Sequence, residues 1–166
     1  MTQIVPHRRT LLSSVGALAL SACSPGKAAA SERQYADSPF RQRTEAQWRE
    51  RLPTASFNVL RREATEQPYT SPLNDEHRRG TFVCRGCDLP LFRSRWKYDS
   101  RTGWPSFYDV IAANIGTKRD FAIGIPRTEY HCARCLGHQG HIFDDGPRPT
   151  GKRYCNNGVA LSFQPA

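Results

Sequence analysis

Apolar residues change their spacing three times along this chain. Leu11 to Ala22 is a single mostly apolar run. Around residues 44–62 the spacing becomes helical. Thr44-Glu45-Ala46-Gln47 has the S/T-x-x-E/Q form of a capping box, Trp48 and Leu52 follow on one face at i, i+4, and Pro53 closes the pattern. A short helix over about 45–52 is predicted, with a further helical turn at 57–62. Residues 67–79 are polar, carry Pro68 and Pro72, and read as loop. From Gly80 onward the apolar runs shorten and turn residues separate them. Strands are predicted at 81–83, 89–92, 121–125, 130–132 and 159–163. No helical period is sustained after residue 65. The pattern is that of an all-β, antiparallel core with a short helical preface.

The first apolar run has a different meaning. Arg8 and Arg9 precede a stretch too short to span a bilayer, the layout of an export signal over residues 1–22. Arg8-Arg9-Thr10-Leu11-Leu12 resembles a twin-arginine signal, with His7 where such signals favour Ser or Thr. Leu20-Ser21-Ala22-Cys23 resembles a bacterial lipoprotein box, in which Cys23 becomes the acylated first residue. Cleavage after Ala28-Ala29-Ala30 is the alternative. Either route places the mature protein outside the cytoplasm, as a periplasmic protein or a membrane-anchored lipoprotein. Residues 23–41, rich in small and polar side chains, read as a flexible linker before a domain over 42–166.

Composition narrows the function classes a little. Twelve glycines and twelve prolines fit a loop-rich domain. The formal charge of +9 would suit an anionic partner. The arginines are scattered, however, without the interleaved aromatics of a nucleic-acid surface, so nucleic acid is not expected.

The cysteines divide into two kinds. Cys84-Arg85-Gly86-Cys87 and Cys132-Ala133-Arg134-Cys135 are C-x-x-C pairs with 44 residues between them. Such turns present two thiolates at the angle a tetrahedral zinc requires, about 2.3 Å from the metal, and two pairs complete the set. Gly86 and Gly137 suit the tight backbone of these knuckles. Two disulfides are the competing reading in an oxidising compartment. A thioredoxin-type redox pair is less fitting, since neither pair opens a helix after a strand. Structural zinc on Cys84, Cys87, Cys132 and Cys135 is the expectation.

Cys155 stands apart, in the polar stretch Lys152-Arg153-Tyr154-Cys155-Asn156-Asn157. A lone cysteine is commonly buried and inert, but this is a poor setting for a core thiol. Cationic neighbours such as Arg153 or a protonated histidine would lower its pKa and make it reactive. His138 and His141 lie close in sequence. Surface or hydrogen-bonded histidines are the bland alternative, as plain core is for Trp104.

Thr102-Gly103-Trp104-Pro105-Ser106-Phe107-Tyr108, Gly137-His138-Gln139-Gly140-His141-Ile142-Phe143-Asp144-Asp145-Gly146-Pro147 and Arg153-Tyr154-Cys155-Asn156-Asn157, with both knuckles, resemble the B-type peptide-methionine (R)-S-oxide reductases. The resemblance covers about residues 44–164. It implies two antiparallel sheets with N-terminal helices and a structural zinc. It also implies that Cys155 is the nucleophile attacking a sulfoxide sulfur, with His138, His141 and Asn157 around that centre. Trp104 would receive the substrate's methyl group. Asp145, with Asp144 as a possible substitute, and Arg153 would set the electrostatics, and Phe107 would join the substrate-binding residues. The expected partners are oxidised proteins or peptides as substrate and a thioredoxin-like or other thiol reductant. The chain would act as a monomer, touching membrane only through an N-terminal lipid.

The chemistry itself asks for more. A thiolate can expel oxygen from sulfur only if that oxygen is protonated, so a general acid is needed, His141 before His138. The product on Cys155 is a sulfenic acid. Many members of the resembled family carry a resolving cysteine where this chain has Thr102, so an outside thiol must reduce that sulfenic acid. The competing function is a zinc-bound module that recognises a protein or nucleic acid. It leaves Cys155, the histidine pair and Trp104 without a role.

Overall fold

The computed structural model describes residue 1 and residues 27–166. The export signal expected over residues 1–22 and the lipidation site expected at Cys23 lie outside the described residues. Among the described residues three helices come first: α1 (Lys27–Arg33), α2 (Glu45–Arg51) and α3 (Thr54–Arg62). The capping box of α2 forms as its sequence requires, with Thr44 Oγ1 accepting from the Gln47 N–H at 3.3 Å and Gln47 Oε1 accepting from the Thr44 N–H at 2.9 Å. Trp48 and Leu52 are buried together on one face.

Nine strands follow in two antiparallel sheets: β1 (Gly80–Cys84), β2 (Pro90–Arg93), β3 (Lys97–Tyr98), β4 (Ser106–Phe107), β5 (Ile115–Asp120), β6 (Arg127–Cys132), β7 (His138–Phe143), β8 (Arg153–Asn156) and β9 (Leu161–Pro165). The smaller sheet has the order β2-β1-β9 and the larger β3-β4-β8-β7-β6-β5. The core lies between them. Phe82 and Phe92, paired across β1 and β2, meet Phe107, Tyr130 and Tyr154 from the larger sheet. Because successive side chains alternate faces, the residues next to these in β4 and β8 point to the other side. That outer face carries the row Tyr98, Ser106, Cys155, His141, Glu129 and Lys118, each opposite the next across neighbouring strands.

The fold departs from expectation at residues 23–41, at residues 121–125 and at the two knuckles. The linker expected over residues 23–41 is built into the domain from Lys27. α1 packs on β5, Ser31 donates to the Ile115 carbonyl, Tyr35 donates to Asn114 Oδ1 at 3.0 Å, and Arg41 Nη2 donates to the Glu32 and Ala133 carbonyls, both at 2.7 Å. Small and polar residues thus serve as hydrogen-bonding partners rather than as a flexible tether. The strand expected at 121–125 is a turn instead. The preceding residues 115–120 form β5, and Phe121, Ile123 and Ile125 project into solvent at the tip of the β5–β6 hairpin. The apolar run there is not a buried strand, because pairing with β6 runs from Ile115 to Asp120. Finally, the left-handed positions of the two knuckles are Asp88 (φ 60°) and Leu136 (φ 58°), not Gly86 and Gly137.

Candidate active site

The two knuckles share one backbone pattern. The Asp88 and Leu136 N–H groups donate to the Cys84 and Cys132 carbonyls at 2.7 and 2.8 Å. The Cys84 and Cys132 N–H groups donate to the Leu89 and Gly137 carbonyls at 2.9 and 3.0 Å. Each turn therefore folds two buried thiols toward one point. The four sulfurs lie within 4.8 Å of one another, with Cys84 to Cys135 at 3.6 Å and Cys87 to Cys132 at 3.4 Å. A disulfide requires about 2.05 Å. Ligands 2.3 Å from a tetrahedral ion stand about 3.8 Å apart, which these separations match far better. The four cysteines could hold a metal ion, and they would tie β1 of the small sheet to β6 of the large one.

Cys155 sits elsewhere, half-buried at the centre of the outer row. Ser106 lies opposite it on β4 and His141 opposite it on β7. The strands approach so closely that a Cβ on Gly140 would stand 1.9 Å from the Cys155 carbonyl oxygen, so glycine is required there. A small cleft of about 110 Å³ opens over Cys155, lined by Trp104, His141 and Asn157 together with Thr65, Arg127 and Phe143. Trp104 is fixed as a wall because its indole N–H donates to the Glu66 carbonyl at 2.9 Å. Asn157 does structural work at the cleft floor. Its Oδ1 accepts from the Glu66 N–H and its Nδ2 donates to the Gln139 carbonyl, both at 2.9 Å.

His138 and His141 are three apart, a spacing that puts residues of a regular strand on opposite faces. Here a bulge intervenes: Tyr130 pairs with Gly140 and His131 with His138, leaving Gln139 as an extra residue. Both imidazoles consequently share a face, their ring centroids 5.5 Å apart. They have different partners. His138 Nδ1 is 2.7 Å from Glu129 Oε1, deep in the protein, while His141 Nε2 is 2.7 Å from Asp120 Oδ2. Burial pushes the Glu129 carboxyl up, but hydrogen bonds from His131 and His138 outweigh it and hold the group at about 2.

The electrostatics of Cys155 differ from the expectation that its cationic neighbours lower its pKa. Burial pushes the Cys155 thiol up, and Arg153, Thr102 and Ser106 oppose that without reversing it. Burial also pushes His141 down, with Asp120 pulling it up and Arg127 and His138 adding to the lowering. At neutral pH the pair is therefore a thiol facing a neutral imidazole. Arg153 forms a two-armed pair with Asp145, both contacts at 2.8 Å, and its guanidinium stands 4.2 Å from the Phe143 ring centroid. Asp144 pairs instead with Lys152 at the surface. Phe107 requires correction: it is fully buried, stacked on Phe92 with centroids 4.1 Å apart, and points away from the cleft. β4 alternates, so only one of Ser106 and Phe107 can face Cys155, and it is the serine.

The SelR domain family matches residues 52–165. The chain belongs to the MsrB family. A peptide methionine sulfoxide reductase MsrB from Pseudomonas putida is 50% identical over 125 residues, covering 74% of this chain and 93% of the relative. One from Bradyrhizobium diazoefficiens is 47% identical over 124 residues, covering 74% and 89%. The chloroplastic peptide methionine sulfoxide reductase B1 of Arabidopsis thaliana is 43% identical over 152 residues, covering 88% and 75%. As an MsrB protein the chain is an oxidoreductase acting on sulfur, with methionine sulfoxide in proteins as substrate and a thiol as reductant. Thr65, Glu66, Asp120, Arg127, Glu129 and Phe143 were not singled out by the sequence reading. Glu66 and Thr65 lie in a loop without periodicity, and Asp120 and Arg127 close a hairpin whose register the apolar pattern misplaces.

Proposed function

We propose that this MsrB enzyme reduces the R epimer of protein-bound methionine sulfoxide, with Cys155 as nucleophile. The observation that carries this reading is a single half-buried thiol at the bottom of a cleft, with Trp104 as one wall and His141 directly across the strand. The indole face of Trp104 receives the S-methyl group, a contact contributing about 0.3–1.5 kcal/mol. Its Nε1–H is committed to Glu66, so the apolar face remains for substrate. The Cys155 sulfur attacks the sulfoxide sulfur as its proton passes through His141 to the sulfoxide oxygen. The oxygen then transfers to Cys155, so methionine leaves with two more electrons and Cys155 is left as sulfenic acid. His138, held by Glu129, and the Arg153–Asp145 pair keep the surroundings of the thiol in place. An external thiol forms a mixed disulfide with Cys155 and releases water, and a second thiol frees the enzyme.

The metal at Cys84, Cys87, Cys132 and Cys135 is zinc, in a closed four-sulfur site that ties the two sheets together and takes no part in the reaction. The chain acts as a monomer outside the cytoplasm, either periplasmic or anchored through Cys23. A zinc-bound recognition module is the alternative function, and the cleft over Cys155 argues against it. Turnover of separate R and S epimers of a methionine sulfoxide peptide tests the proposal. Reduction confined to R is expected; reduction of S at a comparable rate would defeat it.

A further inference from the structure

We infer that Asp120 is a positioning residue for His141, fixing the imidazole with its proton on Nε2 and its Nδ1 lone pair free for the proton of Cys155. The inference rests on the proton-carrying role proposed above for His141. Asp120 ends β5, away from every sequence segment that marks the cleft. Its side chain is nonetheless tied down by three donors. Oδ1 accepts from the Ala122 N–H at 2.8 Å, and Oδ2 accepts from His141 Nε2 at 2.7 Å and Arg127 Nη2 at 2.5 Å.

Those contacts decide the tautomer. Hydrogen bonds from the Ala122 N–H, His141 and Arg127 hold the Asp120 carboxyl far below the usual carboxylate range, so it carries no proton to donate. The short contact to His141 must then be an N–H of the imidazole pointing at an oxygen. A neutral imidazole carries one proton, so the proton on Nε2 leaves Nδ1 bare. The groups facing His141 from neighbouring strands are Asp120 on β5, Arg127 and Glu129 on β6 and Cys155 on β8, with His138 on its own strand. Of the two carboxylates, Glu129 is committed to His131 and His138. Asp120 therefore sets the orientation of His141. Arg127 shares the same oxygen, which keeps Asp120 ionised and in place.

The logic is that of an acid–base histidine whose rear nitrogen is held by a carboxylate that never itself takes the proton. Without Asp120 the imidazole is free to rotate or to hold its proton on Nδ1, where it blocks acceptance of the thiol proton. The electron pair for attack then stays in the S–H bond.

The experiment begins with the metal-loaded wild-type enzyme, which needs no variant. Long-range nitrogen–proton NMR should find His141 at neutral pH protonated on Nε2 only; a resting enzyme protonated on Nδ1 instead overturns the inference. Kinetics then separate positioning from general structure. Asp120→Asn should lower kcat for a methionine sulfoxide peptide by roughly 10²–10⁴, while KM moves less than about threefold. Combined with His141→Ala, it should add less than about a threefold further loss, because a residue acting only through His141 has nothing left to position. Losses that multiply in the double variant mean that Asp120 acts independently, and the inference fails. The underlying reading fails separately: His141→Ala at wild-type rate removes the proton carrier itself and takes this inference with it.

Discussion

The four-cysteine cluster and the cleft over Cys155 are built from the same chemical element, and they are made in opposite ways. In the cluster, each pair of sulfurs comes from one short turn, and the partner atoms within that turn are fixed by local hydrogen bonds. In the cleft, the lining side chains come from separate segments: Trp104 before β4, His141 on β7, Cys155 on β8 and Asn157 after it, with Asp120 on β5 behind His141. Local construction makes thiols that are buried, mutually satisfied and closed to substrate. Distributed construction leaves one thiol facing a cavity, with the neighbouring imidazole and hydroxyl held by other strands. The two regions meet at Gln139. Its Nε2 donates to Cys84 Sγ at 3.4 Å, while its carbonyl accepts from the Asn157 backbone and side chain at 2.9 Å. The bulge at this residue turns His138 onto the face of His141.

Substitution of one cysteine from each region should separate them most sharply. Cys155→Ser is expected to abolish sulfoxide reduction with metal content and thermal unfolding unchanged. Cys84→Ser is expected to release the metal and to destabilise the fold by several kcal/mol, since binding at a closed structural site is coupled to folding. Metal analysis, activity and thermal melts of both variants check this. Retained activity in the Cys155 variant, or a full complement of metal in the Cys84 variant, would erase the distinction.

Next in size is Phe107→Ala. A ring stacked on Phe92 and fully buried should cost about 3–5 kcal/mol of stability when truncated. Because Phe107 faces the core, KM for peptide substrate should be nearly unchanged in the folded enzyme. Denaturant unfolding and steady-state kinetics measure the two effects. A stable variant with a raised KM would restore Phe107 to the substrate side.

The same contrast explains what the sequence disclosed. The cluster was legible because two C-x-x-C pairs state their geometry within four residues each. The α2 helix was legible for the same reason, since its capping box and its Trp48–Leu52 face are local. Cys155 stands out by its polar stretch and cationic neighbours, the family resemblance gathers His141, Trp104 and Asn157 around it, and the structure brings all four to one cleft. What stayed hidden depends on register. Phe107 and Ser106 are adjacent in sequence, and only the pairing of β4 with β8 decides which meets Cys155. Asp120 and Arg127 were invisible because the apolar residues 121–125 mark a strand by composition yet form the exposed tip beyond those two residues. His138 and His141 share a face only through a bulge that no periodicity reveals.

The finest test of the comparison uses Thr102. Its side chain reaches Cys155, and its hydroxyl is 2.8 Å from Ser100 Oγ, which in turn is 2.7 Å from Ser106 Oγ. Hydroxyls thus stand beside Cys155 and, among the described residues, the other cysteines are the four of the cluster. Among the described residues no further cysteine stands ready to resolve a sulfenic acid on Cys155, so after one turnover without reductant it should persist, carrying one added oxygen by mass spectrometry. Thr102→Cys places a thiol where the hydroxyl now reaches. The expected product is then an intramolecular disulfide between positions 102 and 155, with loss of the added oxygen as water. A dithiol reductant should recycle that variant faster, whereas turnover of the first sulfoxide should change little, because in the proposed mechanism the proton passes through His141 and not through position 102. If the wild-type enzyme instead forms a disulfide from Cys155 to one of the four clustered cysteines, those thiols are redox partners rather than metal ligands. The separation between the two regions would then be a matter of distance alone.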